Sequence, residues 1–364
     1  MRVGIVGGGQ LGRMLALAGA PLGIGCVTLD PTKDSPAAQV APAIVGGYDE
    51  REALLDLASG VDVVTYEFEN VPVEAARFLA EHVTVRPGPA ALEVAQDRLP
   101  EKSLFTDVGL PVPMYAAVHD VVSLHEAIEA VGLPAVLKTR RLGYDGKGQA
   151  VIRGHERAED AWRAVGEVPS ILEAHVAFDR ELSIVGVRGV DAQTRFYPLV
   201  ENEHRDGILR LTVAPAADLP EVVQRHAEGF ARAMMERLDY VGVLAIELFL
   251  VGERLYGNEM APRVHNSAHW TIEGAETSQF ENHLRAVCGL PLGSTAMRGC
   301  AAMVNLVGAL PDLGEILAVP GAHVHAYGKE PRLGRKLGHV TVTAEDRADL
   351  EERLLQLRRN VTDA

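Results

Sequence analysis

The stretch Lys138-Thr139-Arg140-Arg141-Leu142-Gly143-Tyr144-Asp145-Gly146-Lys147-Gly148-Gln149 gathers four cations and three glycines within twelve residues. Cationic side chains on backbone mobile enough to fold over a ligand suit a polyphosphate. A solvated hairpin tip is the ordinary alternative. The segment lacks the GxxxxGK[ST] spacing, so it is not the common P-loop. Further along, Glu247 and Glu259 lie in apolar runs on either side of Gly252-Glu253. Two buried carboxylates are costly unless neutralised, and a divalent cation bridging phosphates would neutralise them. Pairing with Lys or Arg is the competing reading, and Asn258 could add a neutral oxygen. Arg263-Val264-His265-Asn266-Ser267 follows directly, and Lys329 to Lys336 holds four cations in eight residues. Ammonium and forked guanidinium groups suit a phosphomonoester, with a plain basic surface patch as the alternative.

Near the start, Gly7-Gly8-Gly9-Gln10-Leu11-Gly12 satisfies GxGxxG, with Asp30 about twenty residues on. Small residues let backbone N–H groups approach an anion at a helix start. The anion could belong to a nicotinamide dinucleotide or to another phosphorylated ligand, and a structural turn is the third reading. Gln10 places a polar amide where a ligand would sit. Neither GxSxG nor HExxH occurs, and the thirteen histidines show no metal-ligand spacing. Of these His204 and His265 are the ones singled out, against the ordinary reading that a lone histidine is structural.

These residues need elements to position them. Val3–Val6, Gly25–Leu29, Ala43–Val45, Val61–Tyr66 and Val83–Val85 read as strands, with helical patterns over Leu11–Leu22, Arg51–Ala58 and Val73–Glu81 between them. Such alternation predicts a parallel, Rossmann-like sheet with its ligand edge at the strands' carboxyl ends. Arg86-Pro87-Gly88-Pro89 breaks the pattern. Beyond it, Ala135–Thr139, Ile171–Ala174, Glu181–Arg188, Thr194–Val200 and Ile208–Val213 read as strands of an α+β region. A helix over Leu219–Leu238 follows, then a hairpin of Val241–Val251 and Leu255–Met260 turning at Gly252-Glu253. Glu247 and Glu259 are then roughly opposite, although a slip of one residue would put them on opposite faces. A last unit has strands near Ala301–Val307 and Val340–Thr343 and a helix from Asp346 to Leu357. The expected domains are 1–96, 97–297 and 298–364.

The chain's 364 residues, 47% of them hydrophobic, can fill several cores. A net charge of −15 argues against nucleic acid or anionic membrane as partner. Three cysteines, Cys26, Cys288 and Cys300, give no disulfide framework, and no apolar run spans a bilayer. A soluble cytoplasmic protein is expected.

Six segments in order, GGGQLGRM at Gly7–Met14, YEFENVP at Tyr66–Pro72, QDRLPEK at Gln96–Lys102, LKTRRLGYDGKGQ at Leu137–Gln149, NEMAPRVHNSAHW at Asn258–Trp270 and YGKEPRLGRKLGH at Tyr327–His339, carry a resemblance over nearly the whole chain. They closely resemble the 5-(carboxyamino)imidazole ribonucleotide synthases, ATP-grasp ligases of purine biosynthesis. The resemblance implies an ATP-grasp fold, with an N-terminal Rossmann-like domain and a small C-terminal domain. It also implies carboxylation of 5-aminoimidazole ribonucleotide by bicarbonate at the expense of ATP, through carboxyphosphate, and a homodimer.

Carried over to this sequence, the ATP ligands fall on Arg98, Lys138, Gly143, Tyr144, Asp145, Gly146, Lys147, Gly148 and Gln149. They continue with the adenine hinge Glu173, Ala174, His175 and Val176, with Glu181 for the ribose, and with His204, Asn258 and Glu259. Mg²⁺ falls on Glu247 and Glu259. The ribonucleotide ligands fall on Gln10, Leu11, Glu67, Glu69, Tyr144, Asp145, Arg263, His265, Asn266, Ser267, Lys329, Arg335 and Lys336. Arg263 is placed to hold bicarbonate, His265 and Asp145 are candidate bases beside released phosphate, and Lys138 joins them as a catalytic group. Ala261 stands where many ATP-grasp enzymes have Asn, which points to two glutamates and waters as the metal set. His175 would act only through its backbone. A formate-dependent phosphoribosylglycinamide formyltransferase and, more remotely, a nicotinamide-dependent oxidoreductase are the alternatives.

Overall fold

The structure is a computed structural model and describes residues 1–143 and 146–361. Three sheets surround one cleft. The first is a five-stranded parallel sheet in the order Ala43–Val45, Gly25–Asp30, Arg2–Val6, Val63–Tyr66, Thr84–Val85. Its helices include Gln10–Gly19, Arg51–Ser59 and Val73–Ala80. The alternation in the sequence is realised here, because strands buried on both faces read as continuous apolar runs.

A four-stranded antiparallel sheet follows in the order Tyr115–Val118, Ser170–Ala174, Ala135–Thr139, Gln149–Ile152. Val121–Val131 and Ala158–Ala164 are helices whose Leu124, Ile128 and Trp162 share a core with Leu137 and Leu172. Both helices and two of these strands are additions to the elements expected from sequence.

The third sheet has nine strands. From one edge they run Arg254–Ala261, Gly242–Val251, Arg180–Arg188, Val200–Arg205, Ile208–Ala214, Cys300–Val307, Lys336–Ala344 and Ala322–Ala326, with Thr194–Phe196 added to Arg180–Arg188. Antiparallel pairing of Leu211 with Val304 makes the C-terminal strands an extension of the central sheet. The helix Arg347–Asn360 closes a local core with Val340, Val342 and Leu211.

One strand differs from expectation. Thr194–Val200 is not continuous, since pairing ends at Phe196 ahead of Pro198, which has no N–H for a ladder. A new strand runs over Val200–Arg205, VENEHR. Its polarity hides it from hydropathy, because Asn202 and His204 point into the cleft rather than into a core.

The N-terminal and central sheets share one apolar cluster that includes Ile5, Leu15, Val187, Val243, Trp270 and Met303. Among the described residues, no helix is long and apolar enough to cross a membrane.

Candidate active site

A cavity of about 1100 Å³ is lined by strands of the two antiparallel sheets and, from the parallel one, by the helix start at Gln10 and the loop Glu67 to Asn70. Lys138 enters it from the strand Ala135–Thr139, with Nζ 2.9 Å from Glu173 Oε2 and 3.3 Å from Asn258 Oδ1. Lys102 lies behind, 3.4 Å from the same Glu173 oxygen. Burial pushes the Glu173 carboxyl up, but Lys138, Lys102 and Arg98 outweigh it and hold the group down at about 2. The Glu173 side chain is therefore a fixed anion that orients lysines, and Ala174, His175 and Val176, the rest of the expected hinge, line the cavity beside it. The Ala174 N–H donates to Met114 O and the His175 N–H to Pro134 O, which fixes the hinge against neighbouring backbone. Phe178 and Phe249 stack next to it, centroids 4.7 Å apart and planes within 6°. The sequence reading missed this pair. Phe249 lies two residues beyond Glu247, so strand periodicity places both on one face.

Of the glycine-rich loop, Gly143, Gly146, Lys147 and Gln149 line the cavity. Gly148 does not. Its carbonyl accepts from Thr139 N at 2.7 Å, and a side chain there would meet Thr139 Oγ1 at 2.6 Å, so it shapes the loop. Tyr144 and Asp145 lie outside the described residues. Asp97 holds Arg140 in a two-point pair at 2.7 and 3.0 Å and Arg141 at 3.2 Å, tying down the loop's stem.

The carboxylate hairpin forms with its turn as expected, but through a bulge. Leu248 pairs with Gly257, then Glu247 pairs with Glu259, so Asn258 is the extra residue. Burial, and then Glu259, push the Glu247 carboxyl up to about 7. Asn258 Nδ2 donates to Glu247 at 3.3 Å, and Arg98 reaches Glu259 at 3.2 Å. Among the described residues, no group of three or more His, Cys, Asp or Glu could hold a metal ion. Two facing carboxylates that repel each other fit Mg²⁺ in its usual nucleotide-bound form, completed by phosphate oxygens and waters. Beside them His204 Nδ1 lies 2.5 Å from Glu181. Burial alone would lower this imidazole's pKa, but Glu181 and then Glu247 raise it above the ordinary value.

The other half of the cavity is cationic. Lys329, Arg332, Arg335 and Lys336 line it together with Gln10 and Leu11, and Lys329 donates to Gln10 Oε1. Arg263 pairs with Glu69. His265 lies 3.6 Å from Glu247 and is held down at about 3 by burial, then by Arg263 and Lys336. Asn266 exchanges amide hydrogen bonds with Asn305 at 2.6 and 3.1 Å.

Two of the expected substrate ligands are bonded within the protein. Ser267 is fully buried, does not line the cavity, and has its hydroxyl 2.9 Å from His265 Nδ1, so it orients that ring. Glu67 borders the cavity, but its carboxylate accepts from the N–H groups of Gly9 at 2.6 Å and Gly12 at 2.7 Å. Asp30 likewise accepts from Gly8 N at 2.8 Å and Tyr48 Oη at 2.8 Å. The anion cradle of GxGxxG is thus filled by the protein's own carboxylates. A side chain on Gly9 would come within 2.3 Å of Glu67 Oε1. This rules out a dinucleotide pyrophosphate on the turn and removes the support for an oxidoreductase.

Comparison with known proteins agrees with this geometry. Family models match at residues 1–96 (ribonucleotide synthetase preATP-grasp domain), 103–280 (ATP-grasp domain) and 301–353 (phosphoribosylaminoimidazole carboxylase C-terminal domain). The N5-carboxyaminoimidazole ribonucleotide synthase of Pseudomonas aeruginosa is 52% identical over 98% of both chains. That of Brucella melitensis is 46% identical over 93% of this chain and 95% of its own. The crystal structure of the Thermus thermophilus synthetase superposes with a TM-score of 0.96 at 56% identity, covering 100% of this chain and 99% of that one. The Aspergillus clavatus synthase in complex with ADP and 5-aminoimidazole ribonucleotide gives 0.93 at 32% identity, covering 99% and 98%. A cleft lined by a carboxylate hairpin and a cationic cluster, these family matches, and relatives aligned along nearly their full length place the chain in the N5-carboxyaminoimidazole ribonucleotide synthase family of ATP-grasp ligases.

Proposed function

We infer that the chain joins bicarbonate to the exocyclic amine of 5-aminoimidazole ribonucleotide in purine biosynthesis, with ATP cleaved to ADP and phosphate. The observation that carries the reading is the single cavity. Its lining includes Ala174 to Val176, Lys138, the Glu247–Glu259 pair, Arg263 and the cations Lys329, Arg332, Arg335 and Lys336, which supports one site for both the nucleotide and the ribonucleotide.

ATP would lie with its base against the hinge and the Phe178–Phe249 wall, its ribose at Glu181, and its phosphates toward Lys138, Lys147, Asn258 and Glu259. Mg²⁺ on Glu247 and Glu259 would supply charge neutralisation for phosphoryl transfer between two anions. Bicarbonate, held by Arg263, attacks the γ-phosphorus. The bond from phosphorus to the ADP oxygen breaks, giving carboxyphosphate and ADP. The ribonucleotide, clamped by Lys329, Arg335 and Lys336, presents its amine to the carboxyl carbon. The new C–N bond forms as phosphate leaves with the electron pair of the C–O bond. The amine's proton passes to a base, for which His265 and the departing phosphate are the candidates at the junction and Asp145 is a third on the loop. Carboxyphosphate hydrolyses in water, so the loop at Arg140–Gly148 must close for turnover.

ADP release measured with each substrate omitted in turn tests this. Release should require both bicarbonate and the ribonucleotide for full rate. Stimulation by formate and glycinamide ribonucleotide instead would favour the formyltransferase reading. We further propose a cytoplasmic homodimer whose domains divide near residues 96 and 297. Free thiols at Cys26, Cys288 and Cys300 support a reducing compartment, and sedimentation of the purified chain tests the dimer.

A further inference from the structure

The strand Arg254–Ala261 is the edge of the large sheet, and the helix Arg98–Asp107 lies across it. An edge presents unpaired N–H and C=O groups, which must find partners if it is covered. Here they find ionisable side chains. Lys102 Nζ donates to Gly257 O at 3.2 Å and to Asn258 O at 2.7 Å. Glu101 Oε1 accepts from Met260 N at 2.6 Å. Both side chains are almost wholly buried. Arg98, one turn earlier on the same helix, reaches the Glu259 carboxylate itself.

These contacts bracket the bulge. From the turn pairs Val251 with Arg254 through Leu248 with Gly257, a regular ladder would next set Glu247 opposite Asn258 and turn Glu259 to the other face. The extra residue restores the pairing of Glu247 with Glu259, and Lys102 holds the two carbonyls leading into it. Glu101 holds the N–H just past it. Gly257 has to be glycine for the helix to come this close, since a side chain there would meet Phe105 at 2.5 Å.

We propose that Glu101 and Lys102 are positioning residues that lock the bulge at Asn258, and so aim Glu259 at the metal-bound phosphates. The proposal rests on the metal reading of Glu247 and Glu259. It separates a register lock from simple edge cover: edge cover serves stability, whereas a register lock sets metal affinity.

The test is ADP binding by calorimetry across a Mg²⁺ titration, with folding followed by near-UV circular dichroism. Lys102→Met, which keeps the side chain's bulk, should raise the Mg²⁺ needed for half-maximal enhancement of ADP binding at least tenfold. Metal-free ADP affinity should fall as well, because Lys102 also faces Glu173 behind Lys138, but by a clearly smaller factor than the metal-dependent enhancement. Glu101→Gln is the milder probe, chosen to fold if Lys102→Met does not, and should move the Mg²⁺ requirement in the same direction by about threefold. Glu259→Gln is the control and should abolish the Mg²⁺ enhancement. A folded variant with wild-type Mg²⁺ dependence, or an equal loss with and without metal, overturns the lock while leaving the metal reading intact. Persistence of the enhancement in Glu259→Gln overturns the metal reading, and the lock with it.

Discussion

Glu259 is bonded by Arg98 and Lys329 bonds Gln10, so their replacement should separate the two halves of the reaction. Glu259→Gln keeps the shape and removes a charge that no neighbouring carboxylate except Glu247 can replace. Steady-state ADP release should fall by at least a hundredfold, roughly the scale of losing a transition-state charge contact, with little change in melting temperature. Turnover within a few fold of wild type would sink the metal assignment. Lys329→Ala removes an ammonium that bonds Gln10 and sits 5.8 Å over the Tyr327 ring. The KM for the ribonucleotide should rise about tenfold or more, with the KM for ATP nearly unchanged, since a charge-assisted contact is worth about 1.5–3 kcal/mol. Equal effects on both substrates would place this lysine outside the phosphate clamp.

The turn between Arg2–Val6 and Gln10–Gly19 shows how one element is completed by another. The helix has no side-chain cap at Gly9, and its first N–H groups are satisfied instead by Glu67, from the loop after the strand Val63–Tyr66. Burial raises the Glu67 carboxyl, partly offset by the Gly12 and Gly9 N–H groups. Removing it leaves two buried donors without partners. Glu67→Ala should therefore destabilise the protein by about 2–4 kcal/mol, seen as a lower urea midpoint. Asp30→Ala should likewise destabilise, because Asp30 bonds Gly8, Thr32 and Tyr48. A mutant of either kind as stable as wild type but unable to bind ribonucleotide would return the turn to the role of ligand cradle.

At the scale of the whole molecule, His283 joins two sheets. Its Nδ1 accepts from Val243 N at 3.1 Å in the large sheet, so Nε2 carries the proton toward Thr65 Oγ1, 2.7 Å away in the parallel sheet. Burial lowers its pKa from 6.5 to about 4. The folded state therefore prefers the neutral ring. The stability this contributes is fully present above the unfolded pKa near 6.5, and it is lost as pH falls toward the folded value near 4. Between pH 7.5 and 5 this one group should remove about 2 kcal/mol from the wild type. His283→Gln, which cannot take up a proton, should show a correspondingly flatter decline in unfolding free energy over that interval. An identical decline in both proteins would mean that the ring does not titrate across folding.

Residue type and spacing alone singled out the glycine-rich segment from Lys138, the two carboxylates, the cationic run to Lys336 and the alternation of the first sheet, because each is expressed within a few residues of chain. What depended on partners distant in sequence was decided by tertiary structure. Glu67 and Asp30 occupy a turn whose glycines look ready for a ligand, and nothing local to Gly7–Gly12 announces them. Ser267 reads as one polar residue among several, yet burial turns it inward to orient His265. VENEHR is a strand because one of its faces lines a cleft, a fact hydropathy cannot register. The hairpin is the sharpest instance. Turn chemistry at Gly252-Glu253 sets pairing only near the turn, and a single extra residue at Asn258 decides whether Glu259 faces Glu247. Side-chain direction in a strand reverses at every residue, so register is settled by whatever packs against the edge, here the helix that carries Glu101 and Lys102.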